Sequence, residues 1–116
     1  CHDLSDGGLA VAAAESAFAG GFGISIDLAK VPFDGEAAGQ SDAVLLFSES
    51  ASRLLVTVRP EKAEAFEAAL AGSVLACIGE VSAGPALTIK GLSGAEVINS
   101  DLGVLKAAWQ APLKDL

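Results

Sequence analysis

The segment His2-Asp3-Leu4-Ser5-Asp6-Gly7-Gly8-Leu9 places an imidazole, two carboxylates and a hydroxyl beside a glycine pair, directly before an alanine-rich run. Glycines at a helix start let backbone N–H groups approach an anion closely, and the helix N-terminus favours negative charge. Asp3 and Asp6 oppose this, because two carboxylates repel a bare phosphate. The two tendencies are compatible if magnesium bridges carboxylate and phosphate. They are also compatible if the aspartates cap the helix and accept from ribose hydroxyls. A capped helix with a glycine turn is the plainer reading of the same spacing. No Gly-Lys-Ser or Gly-Lys-Thr follows, so this is not a Walker loop. The single histidine supports no Ser–His–Asp triad.

A second polar constellation is Phe47-Ser48-Glu49-Ser50-Ala51-Ser52-Arg53, immediately before an apolar stretch. It reads either as a solvated loop, with Arg53 pairing weakly with Glu49 at the surface, or as a loop that lines a ligand. Cys1 and Cys77 have neither metal-ligand spacing nor the pattern of a disulfide framework. Both are expected to be reduced thiols, with Cys77 in an apolar core strand. Trp109 reads as a docking anchor for the last helix.

The elements that must position these groups follow from periodicity. Leu9 to Phe18 predicts a helix, N-capped by Ser5 or Asp6, with Val11, Ala14 and Phe18 on one face. Its small alanines should let it lie close to a neighbour, and Gly20-Gly21 should end it. Gly23 to Leu28 alternates as a strand, with Ile24, Ile26 and Leu28 facing one way. Residues 29 to 41 read as a loop, and Asp42 to Phe47 as one short helical turn. Leu54 to Val58 predicts a strand. Pro60 then opens a helix over Glu61 to Leu70 that buries Ala65, Phe66 and Leu70. Strands are expected at Ala76 to Val81, Ala86 to Ile89 and Ala95 to Ile98, joined as antiparallel hairpins through residues 83–85 and 91–94. Ser100 should cap a last helix, Leu102 to Gln110, anchored by Leu105 and Trp109 and ended by Pro112. Strand 54–58, helix 61–70 and strand 76–81 suggest a βαβ-like unit. The predicted class is α+β, a mixed sheet flanked by helices, rather than doubly wound α/β.

At 116 residues the chain is expected to form one domain, spanning 1–116. Chains of this size bury roughly two-thirds of their unfolded surface, enough for a single core. Its formal charge is −8, from 7 basic and 15 acidic residues spread along the chain. That balance supplies no basic cluster for nucleic acid. No apolar run approaches the ~18 residues of a membrane span, and no secretory signal is visible. The expected location is cytoplasmic. With no methionine and a Cys-His-Asp start, the chain reads as a piece of a longer protein.

Taken together, HDLSDGGLAVAAAESAFAGGFG, LLFSESASRLLVTV, a Pro-Glu-initiated helix and IGEV resemble the phosphoribosylformylglycinamidine synthase family. That family belongs to the aminoimidazole-ribonucleotide-synthetase-like (AIR synthase) superfamily. The resemblance runs from His2 to Trp109 and fits the last domain of the synthetase subunit, the second copy of the superfamily's C-terminal domain. It implies an AIR-synthase C-terminal-domain-like, partly ferredoxin-like fold. For the full-length enzyme it implies ATP- and magnesium-dependent conversion of formylglycinamide ribonucleotide to its amidine, with ammonia derived from glutamine. The implied partners are the N-terminal AIR-synthase-like domains of the same subunit, a glutaminase subunit and a small bridging subunit. The piece alone is expected to be inactive and to self-associate. By the resemblance, Asp3, Ser5, Asp6, Gly7 and Gly8 match a loop at an interdomain cleft. Ser48, Glu49 and Ser50 match a substrate-contacting loop of the first-half copy. Ala51 stands where that copy has a Gln-like residue, which favours a nucleotide-side role. No catalytic residue or metal ligand is carried over. Other superfamily enzymes, such as aminoimidazole ribonucleotide synthetase, thiamine-monophosphate kinase or a hydrogenase-maturation protein, and a mainly structural half, are the alternatives.

Overall fold

A computed structural model of the chain describes residues 1–34 and 41–114. Its elements are β1 (His2–Asp3), α1 (Gly8–Gly20), β2 (Gly23–Asp27), a 3-10 turn (Leu28–Lys30), α2 (Asp42–Phe47) and β3 (Leu54–Leu55). A second 3-10 turn (Pro60–Lys62) leads into α3 (Ala63–Ala69), followed by β4 (Gly79–Ser82), β5 (Ala86–Lys90), β6 (Glu96–Asp101) and α4 (Leu102–Gln110), which runs on into a 3-10 turn (Ala111–Leu113). The α+β class with a mixed sheet is what the sequence predicts. The loop expected over 29–41 falls partly on residues 35–40, outside the described residues.

The main sheet has the order β4-β2-β5-β6, with β2 parallel to β5 and antiparallel to β4, and β5 antiparallel to β6. A separate two-stranded ladder joins β1 and β3 antiparallel. Two expectations fail here. Residues 83–85 do not close a hairpin, because β2 lies between β4 and β5. Crossing one strand takes two inter-strand spacings, about 10 Å, which four extended residues can span. Gly23 makes room for the crossing: a Cβ there would lie 2.6 Å from the Gly84 carbonyl oxygen. The βαβ unit also fails, because β3 and β4 belong to different sheets. β3 is shorter than the predicted 54–58 strand, since its partner β1 offers only two residues.

The core lies where α1 packs on the sheet and on α2 and α4. Leu9, Ala13 and Ala17, one helical stripe of α1, are at most 2% exposed, and Leu28, Leu87 and Ile89 are equally sealed. Alanine along that stripe lets the helix backbone approach its neighbours closely. Val11, Ala14 and Phe18 form a half-buried face beside it. The α3 prediction is corrected: none of its residues is buried, and neither Ala65, Phe66 nor Leu70 enters the core. The main neighbour of α3 among the described residues is the 3-10 turn that precedes it. Cys77 is exposed ahead of β4 instead of buried in a strand. The last helix is capped by Asp101, not Ser100: its carboxylate accepts from the Gly103 and Val104 N–H groups at 2.8 and 3.2 Å. Among the described residues no helix is long and apolar enough to cross a membrane.

Candidate functional site

The ladder between β1 and β3 brings the two polar segments together. His2 lies opposite Leu55 and Asp3 opposite Leu54. One step on, the Leu4 N–H donates to the Arg53 carbonyl at 3.1 Å. Leu4 is buried, which turns Asp3, Ser5 and Asp6 outward. Gly7 and Gly8 then take φ values of 79° and 66°, in the left-handed region. The space at Gly8 is closed as well: a Cβ there would sit 2.8 Å from the Leu46 carbonyl oxygen and 2.9 Å from Phe47 Cα. The first turn of α1 therefore rests on the backbone at the end of α2.

The expected cap is corrected. Gly7 occupies the N-cap position of α1 and no side chain caps it in the usual way, so neither Ser5 nor Asp6 plays that role. Instead the Gly7 N–H donates to Glu49 Oε1 at 2.8 Å. A carboxylate from the second polar segment thus meets the positive end of α1. Glu49 does not pair with Arg53. The guanidinium donates through Nη1 to the Ser48 carbonyl at 3.2 Å and to Ser48 Oγ at 2.9 Å. Glu49→Ala should therefore loosen both segments at once and cost about 0.5–2 kcal/mol, as loss of a helix cap does. Urea titration checks this; an unchanged midpoint would remove Glu49 from the capping role.

Asp3, Leu4, Ser5, Glu49, Ser50, Ala51, Ser52 and Arg53 line an open cleft of about 300 Å3. Of the residues singled out from sequence, Asp3, Ser5, Glu49 and Ser50 share this cleft. Asp6, Gly7, Gly8 and Ser48 do not line it: Gly8 is buried beneath it, and Ser48 is held by Arg53. Ser52 and Arg53 are additions. Ser52 has φ 64°, an unusual value for a residue with a side chain, and among the described residues Arg53 is the one cation lining the cleft. Both sit inside the polar constellation, which was the available signal. The walls offer hydroxyl, carboxylate and guanidinium groups in one small space. That set can hold a polar, phosphate- or hydroxyl-bearing molecule. Among the described residues no three His, Cys, Asp or Glu side chains gather to hold a metal.

Behind Asp3, the His2 ring is held at both nitrogens. Nδ1 meets the Asp3 carbonyl oxygen at 2.6 Å and Nε2 meets Glu15 Oε2 at 2.5 Å. The backbone bond to Asp3, then the bond to Glu15, raise the His2 pKa above 6.5. The stability this provides is fully present below about pH 6.5 and lost as pH rises through the higher folded-state midpoint.

The family model described as "AIR synthase related protein, C-terminal domain" matches residues 1–91. Curated relatives include the phosphoribosylformylglycinamidine synthase subunit PurL of Lactobacillus helveticus, 43% identical over 94% of this chain and 13% of its own length. The PurL of Deinococcus radiodurans is 38% identical over 99% of this chain and 15% of its own length. The chain thus spans a small part of the relatives it matches. Among solved structures, Thermotoga maritima PurL complexed with ATP superposes with a TM-score of 0.75 at 24% identity, over 89% of this chain and 18% of that one. The phosphoribosylformylglycinamidine synthase II structure from the same organism gives a TM-score of 0.74 at 26% identity, covering 89% of this chain and 17% of that one.

Proposed function

Because the chain belongs to the family of AIR synthase related protein C-terminal domains, we propose that it is the C-terminal AIR-synthase-like domain of a phosphoribosylformylglycinamidine synthase subunit in purine biosynthesis. The relatives of that name align along nearly its whole length. The reaction proposed for the full-length protein joins glutamine-derived ammonia to formylglycinamide ribonucleotide and converts ATP to ADP and phosphate. This domain contributes one wall of a nucleotide-side cleft and no catalytic residue. Asp3, Ser5, Glu49 and Ser50 face the ligand, Gly7, Gly8 and Ser48 hold the wall in shape, and Asp6 stands exposed beside it. The wall is completed by the AIR-synthase-like domains of the same subunit. A glutaminase subunit and a small bridging subunit are its further partners in the cytoplasm. Among the described residues the cleft does not fit magnesium as a resident ion: Asp3 and Glu49 are its carboxylates, and Glu49 is bonded to the Gly7 amide.

The observation that carries this reading is the convergence of the two polar segments on one cleft through the Leu4–Arg53 and Gly7–Glu49 bonds. Thermotoga maritima PurL, whose fold this chain shares over 89% of its length, forms complexes with ATP and with ADP. Ser50→Val in the full-length protein puts a branched apolar group into the cleft at an exposed position. The expected result is ATP affinity lowered at least ~10-fold, about 1.4 kcal/mol, with unchanged thermal stability. Unchanged ATP affinity together with unchanged synthase activity would overturn the assignment.

A further inference from the structure

Glu15 uses both carboxylate oxygens on donors from different elements. Oε2 bonds His2 of β1 at 2.5 Å, and Oε1 accepts from Trp109 Nε1 of α4 at 2.7 Å. Trp109 also packs on Phe18 of α1, with ring centroids 5.7 Å apart. On the other side of the imidazole, Nδ1 meets a backbone carbonyl, that of Asp3. A carbonyl and a carboxylate only accept, so both ring nitrogens must donate, and His2 in this arrangement is the imidazolium.

We propose that Glu15 is a positioning residue that couples the charge on His2 to the setting of Asp3 in the cleft and of α4 on α1. Loss of either ring proton leaves an acceptor facing an acceptor, so one bond must break. Breaking at Nδ1 frees the Asp3 carbonyl, on the same residue as the ligand-facing side chain. Breaking at Nε2 leaves Glu15 bonded to Trp109 alone. The charged side chains that face His2 are Glu15 of α1 and Asp3 of its own strand, whose Oδ1 lies 3.6 Å from Nδ1. Across the ladder stands Leu55, and α4 contributes the uncharged Trp109. Cys1 lines the same side. The effect on ligand binding rests on the proposed reading of the cleft; the coupling itself does not.

The chain has one His and one Trp, so NMR resolves the coupling without ambiguity. In a pH titration of the 116-residue chain, the Trp109 indole N–H and the Asp3 and Leu4 amides should shift with the His2 midpoint, above pH 6.5. Glu15→Gln, which keeps the shape and removes the charge, should lower that midpoint and abolish the indole titration. A His2 ring that titrates while the indole and the Asp3 amide stay still would overturn the coupling, and wild type alone decides this if the variant fails to fold. In the full-length protein, ADP affinity should fall above the His2 midpoint in wild type and be flat in Glu15→Gln. A pH-independent affinity in wild type would overturn the effect on the cleft. Failure of ADP to bind at any pH, with the indole still titrating, would overturn the cleft reading and leave the coupling standing.

Discussion

Gly8→Ala should cost this chain about 2–5 kcal/mol. Two effects add. The residue sits at φ 66°, where a side chain costs roughly 1–2 kcal/mol. The new methyl would also meet the backbone of Leu46 and Phe47 at 2.8–2.9 Å, and forcing atoms into filled space costs roughly another 1–3 kcal/mol. Neither obstacle is the tip of a flexible side chain, so relief requires α1 and α2 to separate. Gly21→Ala is the matched control: its φ is 73°, yet nothing lies within 4 Å of the added Cβ. It should lose only the conformational part, about 1–2 kcal/mol. Urea denaturation of both variants gives the comparison. Equal losses would show that the seat of α1 on α2 is not closed at Gly8. A domain is stable by only about 5–15 kcal/mol, so Gly8→Ala should also scatter the Asp3 and Glu49 sides of the cleft.

Ile89→Ala should lose about 2–5 kcal/mol, the range for emptying a sealed core site. Ile89 is fully buried on β5, between β2 and β6. Leu70→Ala removes a side chain of the same size from the end of α3, but Leu70 is 37% exposed. Its loss should be smaller, about 1–2 kcal/mol, because over a third of the residue already faces water. The contrast is measured by thermal or urea melts of the two variants. Comparable losses would place α3 in the core with α1 and the sheet.

The reason α3 misleads a sequence reading is physical. Ala65, Phe66 and Leu70 have helical spacing, and periodicity predicts a buried face without saying what covers it. The strands show the same division. Ile24 and Ile26 alternate over a buried surface, so β2 was legible, but its position between β4 and β5 depends on Gly23 leaving space for the 83–85 crossing. The short helix at Asp42–Phe47 and the last at Leu102–Gln110 fall where predicted, because Ser41 and Asp101 supply local caps. At the site, residue types were legible and pairings were not. Ser5 and Asp6 have cap chemistry, yet the Gly7 amide finds Glu49, 42 residues away. Arg53 had a nearby carboxylate and bonds Ser48 instead. Long-range partners of this kind carry no mark in local spacing.

The central claim is that the cleft formed by the Asp3–Ser5 and Glu49–Arg53 segments is one wall of a nucleotide site closed by the rest of a longer protein. A structure of the full-length protein with bound ATP tests it most directly. The prediction is phosphate or ribose density against Ser5, Ser50 and Arg53, with a second domain opposite. A cleft packed shut by protein side chains, with ATP bound elsewhere, would contradict it.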